Sequence, residues 1–131
     1  MMKRTADLYK EFLMAWGDDE LMIGHHISDR LKLFCVPTVE EYLALASIGQ
    51  DEMGHAQLVM GLFIGDARER ERYVYERRPG EFRACQLARL GPEVNGDWAR
   101  VVARGWVYDG FELARIRSLI SLAPSWVPLE L

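Results

Sequence analysis

A glutamate and a histidine three residues apart form the pair in this sequence best suited to chemistry. They are the ends of the segment Glu52-Met53-Gly54-His55. The spacing places a carboxylate and an imidazole on one face of a helix, about one turn apart, where both can bind a single metal ion. Carboxylates with one imidazole and no thiolate suit iron or manganese better than a structural zinc. Taken alone, however, such a motif also occurs by chance on exposed helices.

Long helices are predicted to position these residues. Prolines interrupt the chain at five places, and three long segments lie between them. In each long segment apolar residues recur at steps of three and four, the period of an amphipathic helix. The predicted helices are about 4–33, 38–63 and 97–122, with Thr38 and Glu41 capping the second helix and Asp97 the third. Between the last two we expect one or two short solvated helices and a crossover, so the fold class is all-α, with the stripes buried against one another.

The apolar stripe of every long helix is interrupted by polar residues near its middle. Glu20 interrupts the first stripe, Glu52 and His55 the second, and Asp109 the third. The third stripe consists of Val102, Trp106, Leu113, Ile116 and Ile120. A carboxylate buried in an apolar seam is costly unless it is paired or binds a cation, so three such interruptions indicate a shared metal. The predicted ligands are therefore Glu20, Glu52, His55 and Asp109.

Alternatives exist for several of these residues. Glu20 ends an acidic cluster that would face solvent if the first helix were shifted in register. Glu112 lies three residues from Asp109 and could supplement or replace it, although the stripe favours Asp109. His25 and His26 are at the wrong spacing to share a face with Glu20, so we expect surface or packing roles for them.

Composition excludes several classes of function. A chain of 131 residues is the size of one domain. Its net charge of −4 gives no general attraction to nucleic acid or anionic membranes. No signal peptide or membrane span is evident, so a cytoplasmic location is expected. The two cysteines, Cys35 and Cys85, indicate neither a disulfide framework nor a thiolate zinc site, and both are expected to be reduced.

Three separated segments resemble a known family. They are the run 50–55, the acidic cluster that ends at Glu20, and the run 105–110. Together they are similar to the oxygenase subunits of bacterial phenylacetyl-CoA epoxidase, a multicomponent monooxygenase of phenylacetate catabolism. The resemblance extends from about Trp16 to Leu122 and implies a single ferritin-like helical domain. It also implies a catalytic di-iron subunit that pairs with a related, non-catalytic structural subunit.

The resemblance carries expectations about the reaction. Iron would activate dioxygen and deliver one oxygen atom to an aromatic ring held as a CoA thioester, with electrons from a separate reductase. The general course of the chain looks more like the structural subunit, whereas Glu20, Glu52, His55 and Asp109 match the ligand positions of the catalytic one. Arginines in the run 68–83 could meet CoA phosphates, but their alternation with glutamates favours a solvated face.

The predicted site is half of a ferritin-like di-iron centre. Such a centre draws six protein ligands from four helices, whereas four ligands on three long helices are predicted here. Three explanations are open. The chain is a truncated family member, or a second chain completes the site, or metal is bound incompletely. The second chain would be another copy in a homo-oligomer or a related oxygenase subunit in a hetero-oligomer. The alternative functions are a non-catalytic structural subunit and a dimeric ferroxidase or iron-binding protein.

Overall fold

The structure is a computed structural model that describes residues 2–32, 36–89 and 97–122. Over these ranges the backbone is helical and contains no strand. Its elements are α1 (Met2–Lys32), α2 (Val39–Gly61), α3 (Ala67–Tyr75), a 3-10 turn (Pro79–Glu81) and α4 (Trp98–Leu122). The all-α prediction is confirmed, and the arrangement agrees with a ferritin-like helical bundle. The long helices lie close to their predicted bounds.

The predicted helix starts are confirmed by their hydrogen bonds. The hydroxyl of Thr38 accepts a 3.2 Å bond from the backbone N–H of Glu41 and donates a 2.9 Å bond to the Glu41 carboxylate. At the start of α4 the Asp97 carboxylate accepts from the N–H of Ala99 at 2.9 Å. These bonds satisfy donors that have no partner within the helix. The short helix α3 has no buried residue, as expected of a solvated element.

The helices α1 and α2 approach each other closely at two glycines. A Cβ on Gly24 would lie 3.1 Å from the carbonyl oxygen of Gly49, and one on Gly49 would lie 2.7 Å from Cγ2 of Ile27. Only glycine allows this separation without displacement of the neighbouring helix. The crossing fixes the relative register of α1 and α2, which carry Glu20 and Glu52.

The buried face of α4 differs from the predicted one. We expected Val102, Trp106 and their companions on that stripe to be buried, but Trp106 is 78% exposed and Ile120 68% exposed. The face that meets α1 and α2 instead carries Val101, Arg104 and Tyr108, all of which are buried. This orientation is set by polar contacts, because Tyr108 and Arg115 donate hydrogen bonds to carboxylates of α1.

Two carboxylates of α1 anchor the segment that follows α3. Asp18 accepts hydrogen bonds from both terminal nitrogens of Arg77 and from the N–H of Arg83. Asp19 accepts a 2.6 Å bond from the N–H of Cys85. The acidic cluster is therefore buried, and its carboxylates hold part of the arginine-rich segment through hydrogen bonds.

The cysteines and the possibility of a membrane span were also considered in the sequence. Cys85 is a free, exposed thiol, whereas Cys35 lies outside the described residues. Among the described helices, each is too short or too polar to cross a membrane.

Candidate metal centre

Glu20 lies at the centre of the predicted site. It is fully buried in α1, so the alternative of a solvent-facing side chain is wrong. Its Oε1 accepts hydrogen bonds from Nε1 of Trp16 at 2.8 Å and from the hydroxyl of Tyr108 at 2.6 Å. Its Oε2 is directed towards Nδ1 of His55, 3.7 Å away. The register of α1 thus places one carboxylate oxygen in a hydrogen-bonded pocket and the other towards α2.

The predicted pair on α2 faces this oxygen. Glu52 is 5% exposed, and its Oε2 lies 3.9 Å from Nδ1 of His55. The side chain of His55 is about half exposed, at 49%. The i, i+3 spacing has therefore placed both groups on one side of α2, with the imidazole at the solvent boundary of the cluster.

The fourth member of the cluster is Glu112 of α4. One ligand atom from each of Glu20, Glu52, His55 and Glu112 lies within 4.8 Å of the other three. Asp109 is outside this group and is exposed on α4. Its assignment as a ligand stays a prediction, while Glu112, the alternative at this position, has joined the other three residues.

The two other histidines, His25 and His26, are both on α1 and do not belong to the cluster. Nδ1 of His25 lies 3.4 Å from the carboxylate of Asp29, and both side chains are well exposed. His26 is partly buried on the same helix.

Two carboxyl groups of the cluster, those of Glu52 and Glu112, disfavour ionisation when no cation is present. Burial, together with the neighbouring Glu20, raises the pKa of Glu52 from 4.5 to about 9. Burial and the Glu20 charge likewise raise the pKa of Glu112 to about 7 and increase the pKa of Asp109. Acids converging in a buried space repel one another in their charged forms. A cation would remove this penalty by neutralising them.

Two orphaned oxygens give a direct test of whether the residues fit a metal. Oε2 of Glu20 and Oε2 of Glu52 are buried, and no donor group of another described residue bonds to either of them. When no cation is present, a proton held by Glu52 beside Glu20 takes its place, because burial and the neighbouring Glu20 raise the pKa of Glu52. Buried polar atoms without a partner are rare in folded proteins, since each one costs about 1–3 kcal/mol. Both atoms belong to the group with ligand spacing. The donor set of three carboxylates and one imidazole fits iron or manganese.

Comparison with known proteins places the chain in a family. The sequence model of the family described as phenylacetic acid catabolic protein matches residues 1–129. The chain belongs to this family. Neither the search of curated proteins nor the search of solved structures found a match. The epoxidase resemblance is thus confirmed at the level of the family.

The contacts around Glu20 were not predicted from the sequence. Tyr108 is 1% exposed, and burial together with the Glu20 charge strongly raises its pKa. The guanidinium of Arg115 lies 5.5 Å from the Trp16 ring and 5.9 Å from the Tyr108 ring. A signal was present in the sequence, since Tyr108, Glu112 and Arg115 share a helix face at steps of four and three.

An apolar cavity lies between the three long helices that carry the cluster. Its volume is about 290 Å³, and its walls come from α1, α2 and α4, with Leu45 and Val101 among the lining residues. None of the four cluster residues lines it, but Ile23, Ile48 and Asp109 do. Each of these three lies about one helical turn from a cluster residue on its own helix.

Proposed function

We propose that this chain is an iron-binding subunit of a multicomponent monooxygenase that oxidises an aromatic acyl-CoA in phenylacetate catabolism. The protein ligands in the proposal are Glu20, Glu52, His55 and Glu112. The observation that carries it is their convergence, with ligand atoms within 4.8 Å of one another and two buried oxygens lacking any other partner. Family membership supports the catabolic role.

The residues of the chain have distinct tasks in this proposal. Glu20 and Glu52 supply charge from the buried side, where neutralisation by a cation is most favourable. His55 supplies a neutral donor at the solvent boundary, where exchange with a partner or with water is possible. Iron bound by these groups supplies the activation of dioxygen, which amino-acid side chains cannot perform.

The apolar cavity is the proposed site for the aromatic ring. Its volume of about 290 Å³ is at the lower end of the range for ligand pockets, and a single ring fits within it. Ile48 and Val101 offer apolar contact and exclude water from the ring. Because the cavity also reaches Asp109, a ring bound there would lie near the acidic cluster.

Metal binding is the first test of the proposal. Metal-free protein is titrated anaerobically with Fe(II), and bound iron is measured by elemental analysis after gel filtration. About one ion or more per chain is expected, with a loss of at least tenfold in affinity for His55→Ala. His25→Ala is the matched control, because this exposed histidine contacts Asp29 away from the cluster. Wild-type protein that retains no iron, or equal loss in both variants, would contradict the proposal.

Substrate binding is tested separately. Phenylacetyl-CoA is titrated into wild-type protein and into Val101→Phe, which places a larger side chain in the cavity wall. We expect weaker binding in the variant with unchanged iron content, because Val101 lies outside the ligand group. Equal binding by both proteins would contradict the assignment of the cavity.

The exposed stripe of α4 favours a second candidate, an iron-oxidising dimer. Trp106, Leu113 and Ile120 are each at least half exposed, and a second copy of the chain could cover them. Such a protein would oxidise Fe(II) with dioxygen in the absence of both acyl-CoA and reductase. Stopped-flow absorbance under those conditions separates the two candidates, since a monooxygenase subunit needs its co-substrate and electron donor for turnover.

A further inference from the structure

Glu20 has an unequal arrangement of partners around its two oxygens. Two donors, Nε1 of Trp16 and the hydroxyl of Tyr108, bind the same atom, Oε1. The other atom, Oε2, is buried, and no other residue in the part of the chain that the structure describes donates a hydrogen bond to it. A carboxylate that only needed to be satisfied in the interior would gain more from one donor on each oxygen, because every unpaired buried acceptor is costly.

The direction of both hydrogen bonds is fixed by chemistry. An indole N–H can only donate, and an ionised carboxylate can only accept, so Oε1 of Glu20 is the acceptor in both bonds. Trp16 lies one turn before Glu20 on α1, whereas Tyr108 reaches it from α4. Two donors from different helices hold the plane of the carboxylate more firmly than one donor can.

We infer that Trp16 and Tyr108 are positioning residues that hold Glu20 with Oε2 as its single metal-binding atom. The inference rests on the proposed metal-binding function and adds the means by which this ligand is oriented before the ion arrives. Oε2 then lies 3.7 Å from Nδ1 of His55, and Oε2 of Glu52 lies 3.9 Å from the same nitrogen. Partners of this kind orient the ligands in metal sites and tune their affinity.

Arg115 contacts the two residues that hold Glu20. Its guanidinium lies near both rings and donates a 3.4 Å hydrogen bond to Asp19, the residue next to Glu20. The Arg115 side chain is 20% exposed, and Arg115 is not one of the four cluster residues. Trp16 and Tyr108 each lie near the Arg115 guanidinium and each donate a hydrogen bond to Glu20.

The experiment compares Tyr108→Phe and Trp16→Phe with wild-type protein. Each metal-free protein is titrated with Co(II), which reports its coordination through visible absorption, and affinity is measured by calorimetry. We expect affinity to fall about 10–100-fold in each variant. The Co(II) absorption bands should also shift, because a carboxylate freed from its donors can bind through both oxygens. Circular dichroism verifies that each variant is folded.

Tyr73→Phe is the matched control. Its hydroxyl is also buried, with no hydrogen-bond partner among the described residues, and its ring contacts Arg77 rather than the cluster. This variant should bind Co(II) with wild-type affinity and an unchanged spectrum.

The outcomes separate the inference from the proposed function. If wild-type protein does not bind Co(II), the metal-binding proposal itself fails. If wild-type protein binds, and either positioning variant binds with equal affinity and the same spectrum, the inference is overturned while the metal site stands. The two variants change different helices, so Trp16→Phe decides the question if Tyr108→Phe does not fold.

Discussion

Arg77 holds Asp18 through both of its terminal nitrogens, at 2.9 Å and 2.6 Å, although the two residues are 59 positions apart. The carboxylate is fully buried, and the guanidinium is 12% exposed. The guanidinium also lies 3.6 Å from the centre of the Tyr73 ring and 3.9 Å from that of Phe82. This pair fastens the segment after α3 to α1, two residues before Glu20.

Removal of one partner of this pair should destabilise the protein strongly. We expect Asp18→Ala to lower the free energy of unfolding by about 3–5 kcal/mol, because Arg77 would keep its charge in a buried place. Glu11→Ala is the control, since Glu11 contacts Arg83 with both side chains well exposed, and it should cost less than about 1 kcal/mol. Urea denaturation measures both. Similar losses in the two variants would contradict the role given to Asp18.

Replacement of two glycines of α2 by alanine should change the stability of the protein in opposite directions. At Gly49 the added methyl would meet Ile27, which is buried, so we expect a loss of about 1–3 kcal/mol. At Gly54 it would meet nothing within 4 Å, and alanine should stabilise the helix by up to about 1 kcal/mol. Thermal denaturation of both variants checks the prediction. A stabilised Gly49→Ala would show that the two helices are farther apart than described.

The fold class and most of the cluster could be predicted from local patterns. Helix starts depend on neighbouring residues, as Thr38 and Glu41 show, and the E-x-x-H spacing acts within one helix. These features need no knowledge of the rest of the chain. Glu20 was also predicted, because its place in an apolar stripe indicates burial without reference to any partner.

The orientation of α4 could not be predicted in this way. Its most apolar stripe is exposed, because Tyr108 and Arg115 satisfy carboxylates of α1 that lie 88 and 96 positions away in sequence. Hydrophobic periodicity describes only the cost of exposing apolar groups. Buried carboxylates also need donors, and that requirement depends on contacts between distant segments.

Stability of the metal-free protein should depend on pH through Glu52. Its pKa in the folded protein, about 9, is above the ordinary value of 4.5, so the folded state holds a proton that the unfolded chain releases. This contribution to stability is complete below about pH 4.5 and is lost as the pH rises towards 9. Glu52→Gln carries no titrating group and should therefore gain stability over the wild type with increasing pH.

The comparison uses metal-free protein throughout. Near pH 9 we expect Glu52→Gln to be more stable than the wild type, and near pH 4.5 the difference should vanish. Asp51→Asn changes an exposed acid on the same helix and should follow the wild-type curve. If wild-type protein and Glu52→Gln have parallel pH profiles, Glu52 does not retain its proton in the folded state.

The exposed stripe of α4 should mediate self-association. From residue 102 to 120 it extends about 27 Å along the helix, long enough for a helix of a second copy to pack against it. We expect Trp106→Glu to shift the protein to monomer in sedimentation velocity, with an unchanged helical circular dichroism spectrum. Tyr75→Glu, at the similarly exposed Tyr75 of α3, should leave association intact. A wild-type monomer at all concentrations would contradict the prediction.

The choice between Glu112 and Asp109 as the ligand from α4 can be decided by metal affinity. Glu112 shares the ligand spacing of Glu20, Glu52 and His55, whereas Asp109 is exposed and lines the apolar cavity. Glu112→Gln removes the charge of a ligand, so Co(II) affinity should fall at least about tenfold. Asp109→Asn should change it much less, because the carboxylate acts on the ion only at a distance. The reverse order of losses would restore Asp109 as the ligand from α4.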